Sequence, residues 1–217
     1  MFLLYRTGRF LFRVLFRCYF RWRVLHWERV PVEGPLILAS SHASHLDPPL
    51  VGSGVKRVCH FLARATLFTN PFFGWVLREV CAVPVDRDGG SGAGMKSIMS
   101  KLAEGRAVIL FPEGTRTPDG QLQKARSGVG LLVLKSGAPV VPVRVLGTFE
   151  AFGKGRSVPR PRRVTIIYGE PMRFDKERAE AEQAPRERTK VIYQEVADRI
   201  MAAIAALGLE EDVKSET

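Results

Sequence analysis

Ala107-Val108-Ile109-Leu110-Phe111-Pro112-Glu113-Gly114-Thr115-Arg116 passes from a wholly apolar run into a polar turn within one residue. Consecutive apolar side chains without alternation predict a strand over 107–111 that is covered on both faces, as in a helix-flanked sheet. Pro112 ends strand pairing, and Gly114 permits a tight turn with exposed backbone amides. Upstream, a helix is expected over 95–103, closed by Gly105. Downstream, a helix over 128–136, stopped by Gly137, leads to a strand over 140–146. Further strands are expected at 36–40, 58–63, 81–85 and 164–168. Further helices are expected to begin near Asp47 or Pro48, and to span 71–80 and 185–207. This alternation predicts an α/β fold: a single domain with a mostly buried central sheet flanked by helices.

The first residues follow a different pattern. Arg6, Arg9, Arg13, Arg17 and Arg21 recur at steps of three and four, and on a helix they fall within an arc of roughly 120°. Phe, Leu, Val, Tyr and Trp side chains fill the rest of the circumference. The pattern predicts an amphipathic, membrane-associated helix ahead of a linker at 30–35, with the alternative that its apolar face packs on the domain as a core helix. No stretch approaches the ~18 uncharged residues that a membrane span requires, and a clean signal-peptide core with a cleavage site is lacking. The expected division is 1–29 for the anchoring helix, 30–208 for the domain and 209–217 for a polar tail. On that division, removal of 1–27 leaves a folded domain. The stretch 154–163, rich in Pro and Arg, is expected to be an exposed basic loop.

The chain has 217 residues, 46% of them hydrophobic and 25% charged, which excludes a disordered chain and a helical membrane bundle. Its formal charge of +11 calls for an anionic partner: nucleic acid, an anionic bilayer or a phosphorylated substrate. Cys18, Cys59 and Cys81 are odd in number and show no CxxC spacing, which suits a reducing compartment.

Ligands of open α/β sheets gather beyond the carboxyl ends of the strands. Three polar clusters fall there: Ser41-His42-Ala43-Ser44-His45-Leu46-Asp47, Asp86-Arg87, and the segment from Phe111 to Arg116. On a continuous helix His42 and Asp47 would point ~140° apart, so they meet only if His42 lies in a loop. Pro48 and Pro49 favour that, because proline suits a first helical turn and disfavours helix before it. A carboxylate on one imidazole nitrogen would leave the other as a general base. The plainer alternative makes Asp47 a helix cap and His42 a polar loop residue. A metal site on His42, His45 and Asp47 lacks further ligands, so no metal is expected. Arg116 offers a planar fork suited to phosphate. Beside it, Glu113 either fixes geometry or forms a surface ion pair of little energetic weight.

These segments resemble the 1-acylglycerol-3-phosphate O-acyltransferase family of glycerolipid acyltransferases. His42 to Asp47 resembles its first block and Val83-Pro84-Val85-Asp86-Arg87 its second. Phe111-Pro112-Glu113-Gly114-Thr115-Arg116 resembles its third, and Val140-Val141-Pro142-Val143 its fourth, all in the family's order. The chain departs from the family at Ser41, where Asn is frequent, and at 63–68, where a Lys-rich run with Glu is frequent. Arg126 replaces a common Lys.

The resemblance implies that His42 deprotonates an acceptor hydroxyl, oriented by Asp47, and that the alkoxide attacks an acyl thioester directly. Arg87, Arg116 and Arg126 would hold the acceptor phosphate, Glu113, Gly114 and Thr115 would shape its pocket, and Ser44 would brace the loop. No cofactor is implied beyond acyl-CoA or acyl carrier protein as co-substrate. The partners implied are a lysophospholipid and an anionic membrane surface, at its cytoplasmic face and without nucleic acid. Lysophosphatidate is the acceptor implied, giving phosphatidic acid, and the rival readings are acylation of another lysolipid, a non-catalytic basic binder and a thioester hydrolase.

Overall fold

A computed structural model describes residues 2–85 and 91–214 of the chain. In chain order the elements are α1 (Phe2–Phe20), β1 (Arg23–Leu25), β2 (Leu36–Ser40), α2 (Asp47–Gly54), β3 (Cys59–Arg64), α3 (Pro71–Glu79), β4 (Ala82–Val85), α4 (Ser91–Ala103), β5 (Ala107–Leu110), α5 (Ser127–Ser136), β6 (Val140–Leu146), α6 (Thr148–Phe152), β7 (Thr165–Tyr168), α7 (Asp175–Gln183) and α8 (Arg186–Lys214). Seven strands form one sheet in the order β1-β7-β6-β2-β5-β3-β4. Strands β2 to β6 run parallel, so their carboxyl ends share one edge, while β7 runs antiparallel to β6.

The apolar runs of β2 and β5 are buried along their whole length because both faces of the sheet are covered. One face packs Leu36, Leu38 and Ile109 against α2 and the end of α1. The other packs Ile37, Val108 and Val140 against α4, α5 and α8. The helix after β2 therefore lies on one face and the helix after β5 on the other. The two neighbouring connections diverge, and in open α/β sheets such a switch point, here the carboxyl edge between β2 and β5, is where a ligand crevice forms.

Helix α1 is shorter than the arginine stripe suggests. Arg21 adopts a left-handed conformation (φ 46°), the amide of Trp22 bonds back to the Phe16 carbonyl at 3.3 Å, and β1 joins the sheet parallel to β7. A non-glycine residue ends the helix here, so local pattern carries no stop signal. Its apolar face is divided, and the core-packing alternative holds for the last turn. Phe16 and Phe20 are buried in the domain core, while Phe10 and Leu11 are 65% and 61% exposed. Removing 1–27 would therefore also remove two core aromatics and an edge strand. No helix among the described residues is long and apolar enough to cross a membrane.

Two further differences concern helix ends. Helix α4 spans Ser91–Ala103, and Gly94 lets its first turn approach β3 and β4; a Cβ there would stand 3.3 Å from Val85 and 3.4 Å from Leu62. Helix α8 continues through Lys214 rather than giving way to a tail after 208, since one glycine costs a helix only about 1 kcal/mol. Residues 154–158 and 160–163 are exposed, as the composition of that loop suggests.

The helical layer on the second face depends on one close approach. Ile192, Val196, Ile200 and Ile204 of α8 recur at steps of four and are wholly buried. Opposite them, a Cβ on Gly130 of α5 would run into the backbone carbonyl of Tyr193. Backbone cannot swing aside as a side chain can. Gly130→Ala is expected to destabilise the fold by about 1–3 kcal/mol, seen as a lower urea midpoint; an unchanged midpoint would mean that α5 and α8 are not in contact at this position.

Candidate active site

At the carboxyl end of β2 the strand continues one residue further, with Ser41 donating its amide to Val143 O (3.1 Å) and its Oγ accepting from Val145 N (3.0 Å). The chain then turns into the loop that carries His42. Asp47 is the first residue of α2, followed by Pro48 and Pro49 in the first turn. It is not the helix cap. Its Oδ2 accepts the amides of Ala43 (2.7 Å) and Ser44 (2.7 Å) and lies 2.8 Å from His42 Nδ1. Asp47 is fully buried, where charge-assisted bonds are strong. In the tautomer that donates Nδ1–H to this oxygen, Nε2 is the free ring nitrogen. The ring stacks on Phe111, with centroids 3.8 Å apart.

The loop after β5 supports this arrangement from below. Glu113, buried at 3% exposure, accepts His42 N at 2.8 Å through Oε1 and Gln123 N at 3.0 Å through Oε2. It is a brace rather than half of a surface ion pair. Burial raises its pKa, and the two amide bonds and His42 work against that rise. Thr117 donates its amide to His42 O at 2.9 Å, so the two loops are tied from both sides. Gly114 takes φ 71°, and the Arg126 side chain lies across it: a Cβ there would stand 2.8 Å from Arg126 Cδ and Nε. Ser44 Oγ donates to Phe152 O at 2.7 Å and accepts from Leu46 N at 3.1 Å, which closes the loop internally.

Cations gather at the mouth. The pKa of His45 is lowered first by its burial, then by Arg116 and His42 and, more weakly, by Arg64 at the end of β3. Burial and the neighbouring charges of Arg116 and Arg64 thus favour the neutral ring of His45. Arg126 and Thr115 are exposed. Arg87 lies outside the described residues. Among the described residues no group of three or more His, Cys, Asp or Glu is placed to hold a metal ion.

Three neighbours of the site escape a motif-based reading: Arg64, Gln123 and Arg144. The last has Nε and Nη1 buried without a hydrogen-bond partner, and its pKa is lowered by burial against the charge of Glu113. An arginine within an otherwise apolar strand was the one signal available for it.

A model of the Acyltransferase family matches residues 21–146, a span that holds every residue of the site except Phe152. The chain belongs to the acyltransferase family. It is 28% identical over 151 residues to the 1-acyl-sn-glycerol-3-phosphate acyltransferase of Bacillus subtilis, covering 69% of this chain and 73% of that one. It is 32% identical over 127 residues to the enzyme of the same name from Pseudomonas aeruginosa, covering 57% of this chain and 48% of the relative. With the chloroplastic BAT2 acyltransferase of Brassica napus it shares 34% identity over 116 residues, 52% of this chain and 33% of the relative. The crystal structure of the 1-acyl-sn-glycerophosphate (LPA) acyltransferase PlsC from Thermotoga maritima superposes with a TM-score of 0.68 at 27% identity, covering 90% of this chain and 76% of that one.

The brace in this acyltransferase can be tested apart from any reaction. In a Glu113→Gln variant one amide bond survives, but the new side-chain NH₂ meets the other backbone N–H, donor against donor. A loss of about 1–3 kcal/mol in unfolding free energy is expected. Stability equal to the parent would show that the carboxylate does not hold the histidine loop.

Proposed function

We propose that this acyltransferase moves a fatty acyl group from an acyl thioester, acyl-CoA or acyl carrier protein, to the free hydroxyl of 1-acyl-sn-glycerol 3-phosphate, giving phosphatidic acid in phospholipid biosynthesis. The observation that carries the reading is the 2.8 Å contact of His42 Nδ1 with a buried carboxylate, which leaves Nε2 as a base at the mouth of the crevice. The names of the relatives support the acceptor.

In this mechanism His42 Nε2 takes the proton of the acceptor hydroxyl as its oxygen attacks the thioester carbonyl carbon. The Asp47 carboxylate, already 2.8 Å away, stabilises the imidazolium that forms. Collapse of the tetrahedral intermediate breaks the C–S bond, and the imidazolium returns its proton to the departing thiolate. The acceptor is itself the nucleophile, so no acyl-enzyme is required. Ser44 suits no such role, being buried with its hydroxyl bonded to Phe152 O.

Arg116 and Arg64, with Arg126 and Arg87, supply the charge for the acceptor phosphate, and Gly114 and Thr115 leave the approach open. Glu113 acts through the loop it braces. Because an acceptor with a long acyl chain resides in a bilayer, the exposed apolar edge of α1 and its arginines would hold the enzyme peripherally at an anionic, cytoplasmic membrane face.

Two measurements test the chemistry. His42→Ala is expected to lower kcat by roughly 10²-fold or more with the fold intact, the scale of a lost general base; near-normal turnover of acyl-CoA with lysophosphatidate would end the mechanism. Arg116→Ala is expected to raise KM for the phosphate-bearing acceptor by about 10- to 150-fold, since a charge-assisted contact contributes about 1.5–3 kcal/mol. An effect confined to the thioester KM would move Arg116 to the donor site.

A further inference from the structure

Between Glu150 and Glu170 the chain carries Lys154, Arg156, Arg160, Arg162 and Arg163 and no acidic residue. These five cations lie in the exposed loop 154–163, and none makes an ion pair among the described residues. At its centre Val158 is 70% exposed. An unpaired cationic loop with an apolar tip has no evident task in folding.

The loop is nevertheless firmly placed. Where it begins, Gly153 bridges Ser44 and the preceding Phe152 carbonyl accepts Ser44 Oγ at 2.7 Å, so its start is fixed to the histidine loop. In its middle Arg160 N donates to Ala151 O at 2.8 Å, and Tyr19 Oη donates to Pro159 O at 3.0 Å. Just beyond its far end Val164 N bonds to Phe20 O at 3.1 Å. One end is thus tied to the histidine loop through Ser44 and the other to the end of α1. On α1, Leu11, Leu15 and Tyr19 follow at steps of four and are exposed, forming an apolar ridge that leads to Pro159.

We propose that loop 154–163 is a contact site for the anionic headgroups of bilayer lipids and that it sets the histidine loop at the membrane surface together with α1. This rests on the reading of the enzyme as one that works on a bilayer-resident acceptor. An acidic carrier protein would answer the arginines alone. A bilayer answers the arginines, the exposed Val158 and the apolar ridge at once, with headgroups over the cations and acyl chains beneath the ridge.

The test uses the full-length protein and vesicles of phosphatidylcholine with or without phosphatidylglycerol. Each arginine near an anionic surface contributes roughly fivefold in affinity, so the Arg160→Gln/Arg162→Gln/Arg163→Gln variant is expected to bind the anionic vesicles on the order of 100-fold more weakly. Its binding to pure phosphatidylcholine, its circular dichroism and its activity on dispersed short-chain acceptor should match the parent. Val158→Asp should weaken binding to both kinds of vesicle, and it carries the test if the triple variant misfolds. Leu11→Asp/Leu15→Asp is the separate arm for α1: normal vesicle binding by that variant would count against the membrane reading of the helix, not against the loop. The loop proposal is overturned if the triple variant binds anionic vesicles like the parent, or if it loses only an acidic acyl carrier protein.

Discussion

One carboxylate oxygen organises the site. Asp47 Oδ2 takes the amides of Ala43 and Ser44 as well as the imidazole of His42, all within 2.8 Å. A buried anion without such donors would cost several kcal/mol, whereas with them its burial becomes a source of rigidity. The same bonds set the curl of the loop and the orientation of the ring, so loop geometry and histidine tautomer cannot vary independently. Helix α2 must begin where it does for this to work. It is held there by its own packing and by the buried Tyr168 Oη, which donates to Val51 O at 2.7 Å.

The sheet determines which loops can meet. Because β2 lies between β5 and β6, the histidine loop emerges beside the turn after β5, and Glu113 lies within reach of His42 N. A second carboxylate is thereby placed in the floor of the crevice, occupied by two backbone amides and not by a cation. The basic side chains are left at the rim, where an anionic substrate can meet them. Bracing from below and charge at the entrance are different tasks, and the turn from Phe111 to Arg116 supplies both within six residues.

Helix α1 joins the site to its surroundings. Its last turn packs Phe16 and Phe20 into the core and hands the chain to the edge strand β1, while its outer ridge stays in the open. A helix rooted in the core by Phe16 and Phe20 has its position fixed relative to the sheet. The basic loop that ends against it is likewise tied to the histidine loop.

How much of this was legible beforehand follows from the range of the interactions. The uninterrupted run 107–111, the alternation around it, Pro48-Pro49 at a helix start and the acid-free loop 154–163 are local patterns, and burial and backbone sterics translate them directly into structure. The four ordered blocks likewise identified the family. The order of the strands, the end of α1 at Phe20, the brace from Glu113 to His42 and Gln123, and the convergence of Arg64 with Arg116 were decided only by the tertiary structure. Those contacts join groups far apart in the chain, and their strength comes from desolvation, which no residue acquires until the whole sheet and its covering helices have closed around it.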